Sequence, residues 1–198
     1  MRYRRTAAHD PHHQLLDYIS QLDAGWRQRV SAVMRSTLPG SRATGYWLRT
    51  ATVEHEKAGT AGTLDLVVAT ENGLTHFQFL ALPDGERWRL VTRTQTWALA
   101  LLASVATETL PAGAGGQDGL LVQIAPLGAT QEIELTPTGE PRPGESAALL
   151  GAARSEVLRI VVEPVDAGAD EDELDRQRAE RRLLITLAEA VHRGLAAG

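Results

Sequence analysis

The sequence predicts an α+β (mixed α/β) fold. It comprises a largely antiparallel central sheet of about five to seven strands, packed by long N- and C-terminal helices and one apolar central helix. Three observations carry this. Leu15, Ile19, Leu22, Trp26, Val30 and Val33 recur at steps of three and four, which draws one apolar stripe down a helix. Thr63–Thr70 and Leu74–Leu82 alternate in polarity on either side of Asn72-Gly73, the strongest short hairpin signal a sequence offers. Finally, Asp170–Glu173 precede Arg176, Arg178, Arg181 and Arg182, and acid before base is the charge order that suits a helix dipole.

In chain order, residues 1–9 read as a flexible arm and 10–198 as a single globular domain, with one candidate seam at 111–119. Asp10-Pro11 caps and starts a helix expected to run over 10–37, and Pro39-Gly40 stops it. Tyr46–His55, rich in Thr, Val and aromatics, reads as a strand. A two-residue turn at Asn72-Gly73 would set Glu71 opposite Leu74 and Val68 opposite Phe77. Leu64, Leu66, Val68, Phe77 and Phe79 then share one face, and Asp65, Val67, His76, Gln78 and Leu80 the other. Pro83-Asp84-Gly85 is a turn and Arg87–Thr92 a short strand. Thr96–Leu110 is apolar nearly all round a helical projection, so it is read as the central helix. Either the sheet and first helix bury it, or a partner does. Leu120–Ala125 and Gln131–Pro137 form a second strand pair, Glu145–Arg154 a short helix and Val157–Val162 a buried strand. The last helix spans 169–196, with Leu174, Leu184, Leu187, Val191 and Leu195 on its apolar side and Asp172–Arg176 as an i,i+4 pair.

Composition narrows the function classes. With no cysteine, disulfides, thiolate chemistry and Cys-type zinc sites are excluded. The formal charge of −5 opposes a purely electrostatic nucleic-acid binder. Nineteen of the 20 basic residues are Arg, which together with the Ala and Gly content points to a GC-rich bacterial genome rather than to function. The basic start MRYRR is followed by no apolar segment, and no run of about 18 apolar residues occurs, so neither a secretory signal nor a membrane helix is expected and a cytoplasmic protein is.

The hairpin carries the one family resemblance. Gly62-Thr63-Leu64-Asp65 is followed thirteen residues after Asp65 by Gln78-Phe79-Leu80, within an expected order of helix, three strands, helix and strand over 10–125. This resembles the core of the PD-(D/E)xK nucleases, in which an Asp and a Glu-x-Lys triplet meet across a tight turn. The resemblance implies that Asp65 stands at the metal-binding aspartate. Gln78 and Leu80 depart from the Glu and Lys. A neutral amide cannot supply the second carboxylate that Mg²⁺ requires, and leucine cannot activate water, so the resemblance implies a pseudoenzyme that binds nucleic acid without cleaving it.

Other constellations are thinner. His9, His12 and His13 lie within one short segment but have no further ligand, and read as the polar start of a helix. Glu54 and Glu56, flanking His55 on one side of a strand end, have the paired-carboxylate form of acid–base sites, though a solvated terminus has the same form. His76 and Asp65 share a face and have the form of an acid–base pair, without being directly opposite. Arg2, Tyr3, Arg4 and Arg5, and Arg87, Trp88, Arg89 and Arg93, are basic–aromatic groups of the kind that stack on bases. No nucleophile elbow, phosphate loop or His-Glu-x-x-His occurs.

The sequence therefore predicts a non-catalytic interaction or regulatory protein, self-associating or bound to a protein partner, with no cofactor and no metal. Two alternatives stand beside it: a degenerate nuclease fold binding nucleic acid, and an enzyme of unrecognised type using His76 or Glu54.

Overall fold

The computed structural model describes residues 10–57, 59–128, 131–138, 148–155 and 157–197, and excludes the side chains of Val53, His55, Arg87, Trp88 and 131–155. The fold is α+β, and its antiparallel strands are divided among three sheets rather than gathered into one: β1-β2-β3-β4, β5-β6-β9 and β7-β8.

The N-terminal stripe forms two helices, α1 (Pro11–Gln21) and α2 (Ala24–Thr37), not one. Asp10 caps α1 by accepting from His12 N at 3.0 Å, and Pro11 takes the position where a missing N–H costs nothing. The break falls at Leu22-Asp23 because Asp23 Oδ1 accepts from Gly25 N and Trp26 N at 3.0 and 3.1 Å. A short carboxylate satisfies more backbone donors as a cap than inside a helix. The apolar stripe survives the break, and both helices lie on one face of the first sheet, over Tyr46, Leu48, Leu64, Leu66, Val68, Phe77 and Phe79.

That sheet is a meander of β1 (Gly45–His55), β2 (Gly59–Ala69), β3 (Gly73–Asp84) and β4 (Arg87–Ala98). The central hairpin forms with a register two residues away from that of a two-residue turn. Ala69 faces Leu74, Leu66 faces Phe77 and Asp65 faces Gln78. Gly73 does not take the positive φ that an Asn-Gly turn would need, and the Thr70 hydroxyl organises the loop by accepting from Asn72 N and Gly73 N. Gly73 is required for another reason: a Cβ there would stand 2.8 Å from the Trp97 carbonyl oxygen. A slip of two keeps every side chain on its face, so the apolar and polar faces are those read from the sequence.

The central helix expected at 96–110 does not form. Residues 96–98 complete β4, Leu99–Leu101 make one 3-10 turn, and Leu102–Leu110 form β5. Ala and Leu favour helix locally, but Val105, Thr107 and Thr109 are β-branched at every second position and sit opposite Ile124, Val122 and Leu120 of β6 (Gly119–Pro126). Residues 111–118 join these two strands. The strand pair expected between 120–125 and 131–137 is also re-partnered. β6 lies between β5 and β9 (Leu158–Val162), while β7 (Gln131–Thr138) pairs with β8 (Ala148–Ser155). The short helix expected at 145–154 is therefore strand over Ala148–Arg154, with 145–147 outside the described residues. Gly151 in mid-segment weakens a helix there.

The last helix, α3 (Glu171–Ala197), forms as expected. Asp170 Oδ1 accepts from Glu173 N, and the ion pair that forms is Asp175–Arg178 at 3.0 Å rather than Asp172–Arg176. Buried Gln177 pins its first turns by donating to the carbonyls of Asp118 (3.0 Å) and Glu163 (3.3 Å). Leu184, Leu187 and Val191 join Trp47, Val67 and Leu74 of the first sheet and Val122, Ile124 and Ile160 of the second in one core, and Leu183 touches the helix-covered core as well. No helix among the described residues is long and apolar enough to cross a membrane.

The helix meets β1 at Gly45, where an added Cβ would lie 2.7 Å from Ala190 Cβ and 2.9 Å from the Thr186 carbonyl. Gly45→Ala is expected to lower unfolding stability by about 1–3 kcal/mol, because backbone cannot swing aside, with the denaturant slope unchanged. Urea melts of both proteins measure it.

Candidate functional site

Antiparallel register places residues in rows across the first sheet. On the face turned away from α1 and α2, one row reads Arg49, Asp65, Gln78, Arg93, and the row above it Trp47, Val67, His76, Gln95. Trp47 and Val67 of the upper row enter the core, Gln95 is exposed, and the lower row is polar throughout.

Asp65 and His76, diagonal neighbours on β2 and β3, meet through a 2.5 Å contact between Asp65 Oδ1 and His76 Nε2. The histidine side chain is 15% exposed and the carboxylate 40%. The candidate pair of the sequence reading is brought into contact, because the register shift moves His76 toward Asp65. Gln78 lies directly opposite Asp65, and Leu80 is on the same face one row further out.

Arg49, which sequence reasoning passed over, does the most on this face. Its Nε and Nη2 donate to Glu180 Oε2 at 3.2 and 3.1 Å, Nη2 also donates to the Val161 carbonyl, and the guanidinium stacks 5.3 Å from the Trp47 ring centre. One side chain of β1 thus ties the first sheet to α3 and to β9. Tyr18 of α1 reaches the same edge. Burial lifts its phenol above the ordinary value, a hydrogen bond with Thr50 opposes that, and the Glu180 charge adds to it. The signal for Arg49 was available, as an isolated Arg in the apolar run Tyr46-Trp47-Leu48, but its partner lies more than a hundred residues away.

An Asp–His pair can hold or relay a proton, but acyl or phosphoryl transfer also needs a nucleophile or a metal. Thr63, the hydroxyl in the adjoining row, is engaged with the Ala51 carbonyl, and among the described residues no three His, Asp or Glu side chains converge as metal ligands. The remaining candidates are dispersed. Glu54 and Glu56 are exposed near the end of β1; Arg89 and Arg93 are exposed on β4. The side chains of His55, Arg87 and Trp88, and residues His9, Arg2, Tyr3, Arg4 and Arg5, lie outside the described part. The helix order from which the nuclease resemblance was drawn is altered by the loss of the 96–110 helix, and its hairpin positions alone remain juxtaposed.

At the N-terminus, His12 and His13 diverge onto different partners. His13 Nδ1 lies 2.6 Å and Arg42 Nη2 2.5 Å from Asp10 Oδ2, and Ala43 N donates to His12 Nδ1 at 3.2 Å. Partial desolvation raises the Asp10 carboxyl, yet the bonds from His13 and His12 N and the Arg42 charge together outweigh it and hold it below its ordinary 3.8.

A second feature lies on the other side of α3. Val105 and Thr107 of β5, Leu120 of β6, and Ile185, Ala188, Glu189, His192 and Arg193 of α3 line a groove of about 460 Å³. It opens where the second sheet ends. β5 is an edge strand, and of its nine residues only Leu102 is buried.

No protein-family model, no curated protein and no solved structure matches the chain.

Two outcomes are expected. Arg49→Lys should cost about 1–2 kcal/mol in a thermal or urea melt, since a single ammonium cannot serve Glu180 and the Val161 carbonyl as the fork does. For Asp10, a carboxyl held low in the folded state adds stability above its ordinary value, and this is lost as pH falls through the folded one. Amide-exchange protection in the first turn of α1 should therefore decline below about pH 4, and Asp10→Ala should abolish that dependence.

Proposed function

We propose that this chain is a non-catalytic interaction protein that self-associates through β5, two copies pairing their edge strands antiparallel across a two-fold axis. The observation that carries the reading is a comparison of the edges of the four-stranded and three-stranded sheets. An unpaired edge invites another strand, and proteins blunt it with charge, brevity or a cover. β1 carries Arg49 and Glu54, and Arg49 ties it to α3. β4 carries Arg87, Arg89 and Arg93. β9 is five residues long and includes Arg159. β5 has nine residues, one charge (Glu108) and no Lys, Arg or Pro, and its register with β6 is regular from Ser104 to Leu110.

A second copy is the occupant that this surface suits. A two-fold contact must be complementary to itself, and the groove beside β5 offers acid and base together, Glu189 and Arg193, above apolar Val105, Leu120 and Ile185. Strand pairing across the axis would continue the three-stranded sheet into a six-stranded one and cover the open flank of the core.

The test is sedimentation velocity across a concentration series. The wild-type chain should associate reversibly. Thr107→Lys, at an exposed position lining the groove, should weaken association about tenfold or more, because a lysine on an edge strand opposes strand pairing and its ammonium must lose water in the contact, while leaving the thermal midpoint of the monomer unchanged. A wild-type chain that stays monomeric at every soluble concentration, or a Thr107→Lys dimer as tight as wild type, would overturn the reading.

The nucleic-acid alternative draws on one arrangement: Arg89 and Arg93 are exposed on the face that carries Asp65 and Gln78. Its outcome is a mobility shift at low salt that weakens uniformly, whatever the DNA sequence, in Arg89→Gln/Arg93→Gln.

A further inference from the structure

Another cavity, remote from β5, lies between α1, α2 and the segment 38–43. Its volume is about 360 Å³, within the usual range for small-molecule sites. Its floor is apolar: Leu16, Ile19, Met34, Leu38 and Val68. Its polar lining consists of groups that can donate: Arg35, Arg42, His12, Ser31 and Ser41, with no carboxylate among them. The hydrogen bond from Ala43 N occupies His12 Nδ1, so a neutral ring keeps its proton on Nε2 as a further donor.

The charge balance selects the ligand. Arg42 is already neutralised by Asp10 at 2.5 Å. Arg35 and the hydroxyls of Ser31 and Ser41 have no hydrogen-bond or ion-pair partner among the described residues. One uncompensated guanidinium beside two free hydroxyls and an imidazole N–H matches one negative charge carried by an acceptor-only group. The geometry points to a binding site for a small monocarboxylate with an apolar body. The carboxylate would pair with Arg35, which offers a bidentate fork, and accept from Ser31 or Ser41, while the aliphatic or aromatic body lies on Ile19, Met34 and Val68. Met34 gives that floor the adaptability of an unbranched thioether.

Octanoate and phenylpropionate, each set against its alcohol, are suitable probes by calorimetry and by methyl NMR. At least one acid should bind about tenfold or more tightly than its alcohol, since only the acid makes a charge-assisted bond. The shifts should fall on Leu16, Met34 and Val68. Arg35→Gln, an exposed residue on α2 whose loss leaves the helix intact by circular dichroism, should bring acid and alcohol to equal affinity. Failure of both acids to bind, equal affinity of acids and alcohols for the wild-type chain, an unchanged preference in Arg35→Gln, or shifts confined to Val105 and Ile185 would each overturn the assignment. Because the cavity is distant from β5, none of these outcomes depends on the oligomeric state.

Discussion

The seating of α3 against β1 is the contact on which the remaining architecture depends. β1 is an edge strand, and the helix that packs against it comes from the far end of the chain. The two approach so closely at Gly45 that no side chain fits between them. Arg49 then fastens the joint by reaching Glu180 on the helix and the Val161 carbonyl on β9. Salt bridges at half-exposed positions contribute little by themselves. The value of Arg49 lies in its simultaneous service to a carboxylate, a backbone carbonyl and the face of Trp47, each in a different element. With α3 in place, the apolar side of the second sheet has a wall, and one core runs continuously from Trp47 to Ile160.

That arrangement also explains where the molecule remains open. α3 lies along β1 and reaches across the second sheet as far as β5. It leaves the outer edge of β5 unpaired, and Val105 and Thr107, which occupy inward positions by alternation, are half-buried and exposed respectively. The groove thus lies between α3 and the unpaired edge of the second sheet. The cavity at 38–43 has a different origin. It lies between α1 and the last turns of α2, where the chain passes through 38–43 toward β1.

The polar row at Asp65 shows how a small change of register alters chemistry without altering the faces. A shift of two residues keeps the greasy side of the hairpin beneath α1 and α2, yet brings His76 within hydrogen-bonding distance of Asp65 and sets Gln78 directly across from it. Side-chain alternation is insensitive to such a shift, whereas pair chemistry depends on it entirely. The carboxylate and imidazole satisfy each other at the rim of the core, the imidazole largely buried and the carboxylate open to water.

What the sequence determined by itself is local and periodic. The cap at Asp10, the acid-before-base order of the last helix, the apolar stripes of the first and last helices, the two faces of the 63–82 hairpin and the β9 strand all follow from residues within a few positions of one another. Tertiary structure decided the rest. Thr96–Leu110 carries enough Ala and Leu to form a helix in isolation and enough alternating Val and Thr to form a strand, and only the presence of β6 alongside settles the matter. The pairing of β7 with β8, the division of the strands among separate sheets, the meeting of Asp65 with His76 and the reach of Arg49 to Glu180 depend likewise on partners distant in the chain. Periodicity reports which side of an element is buried, but not what buries it, because that depends on contacts whose sequence separation leaves no trace in a local pattern.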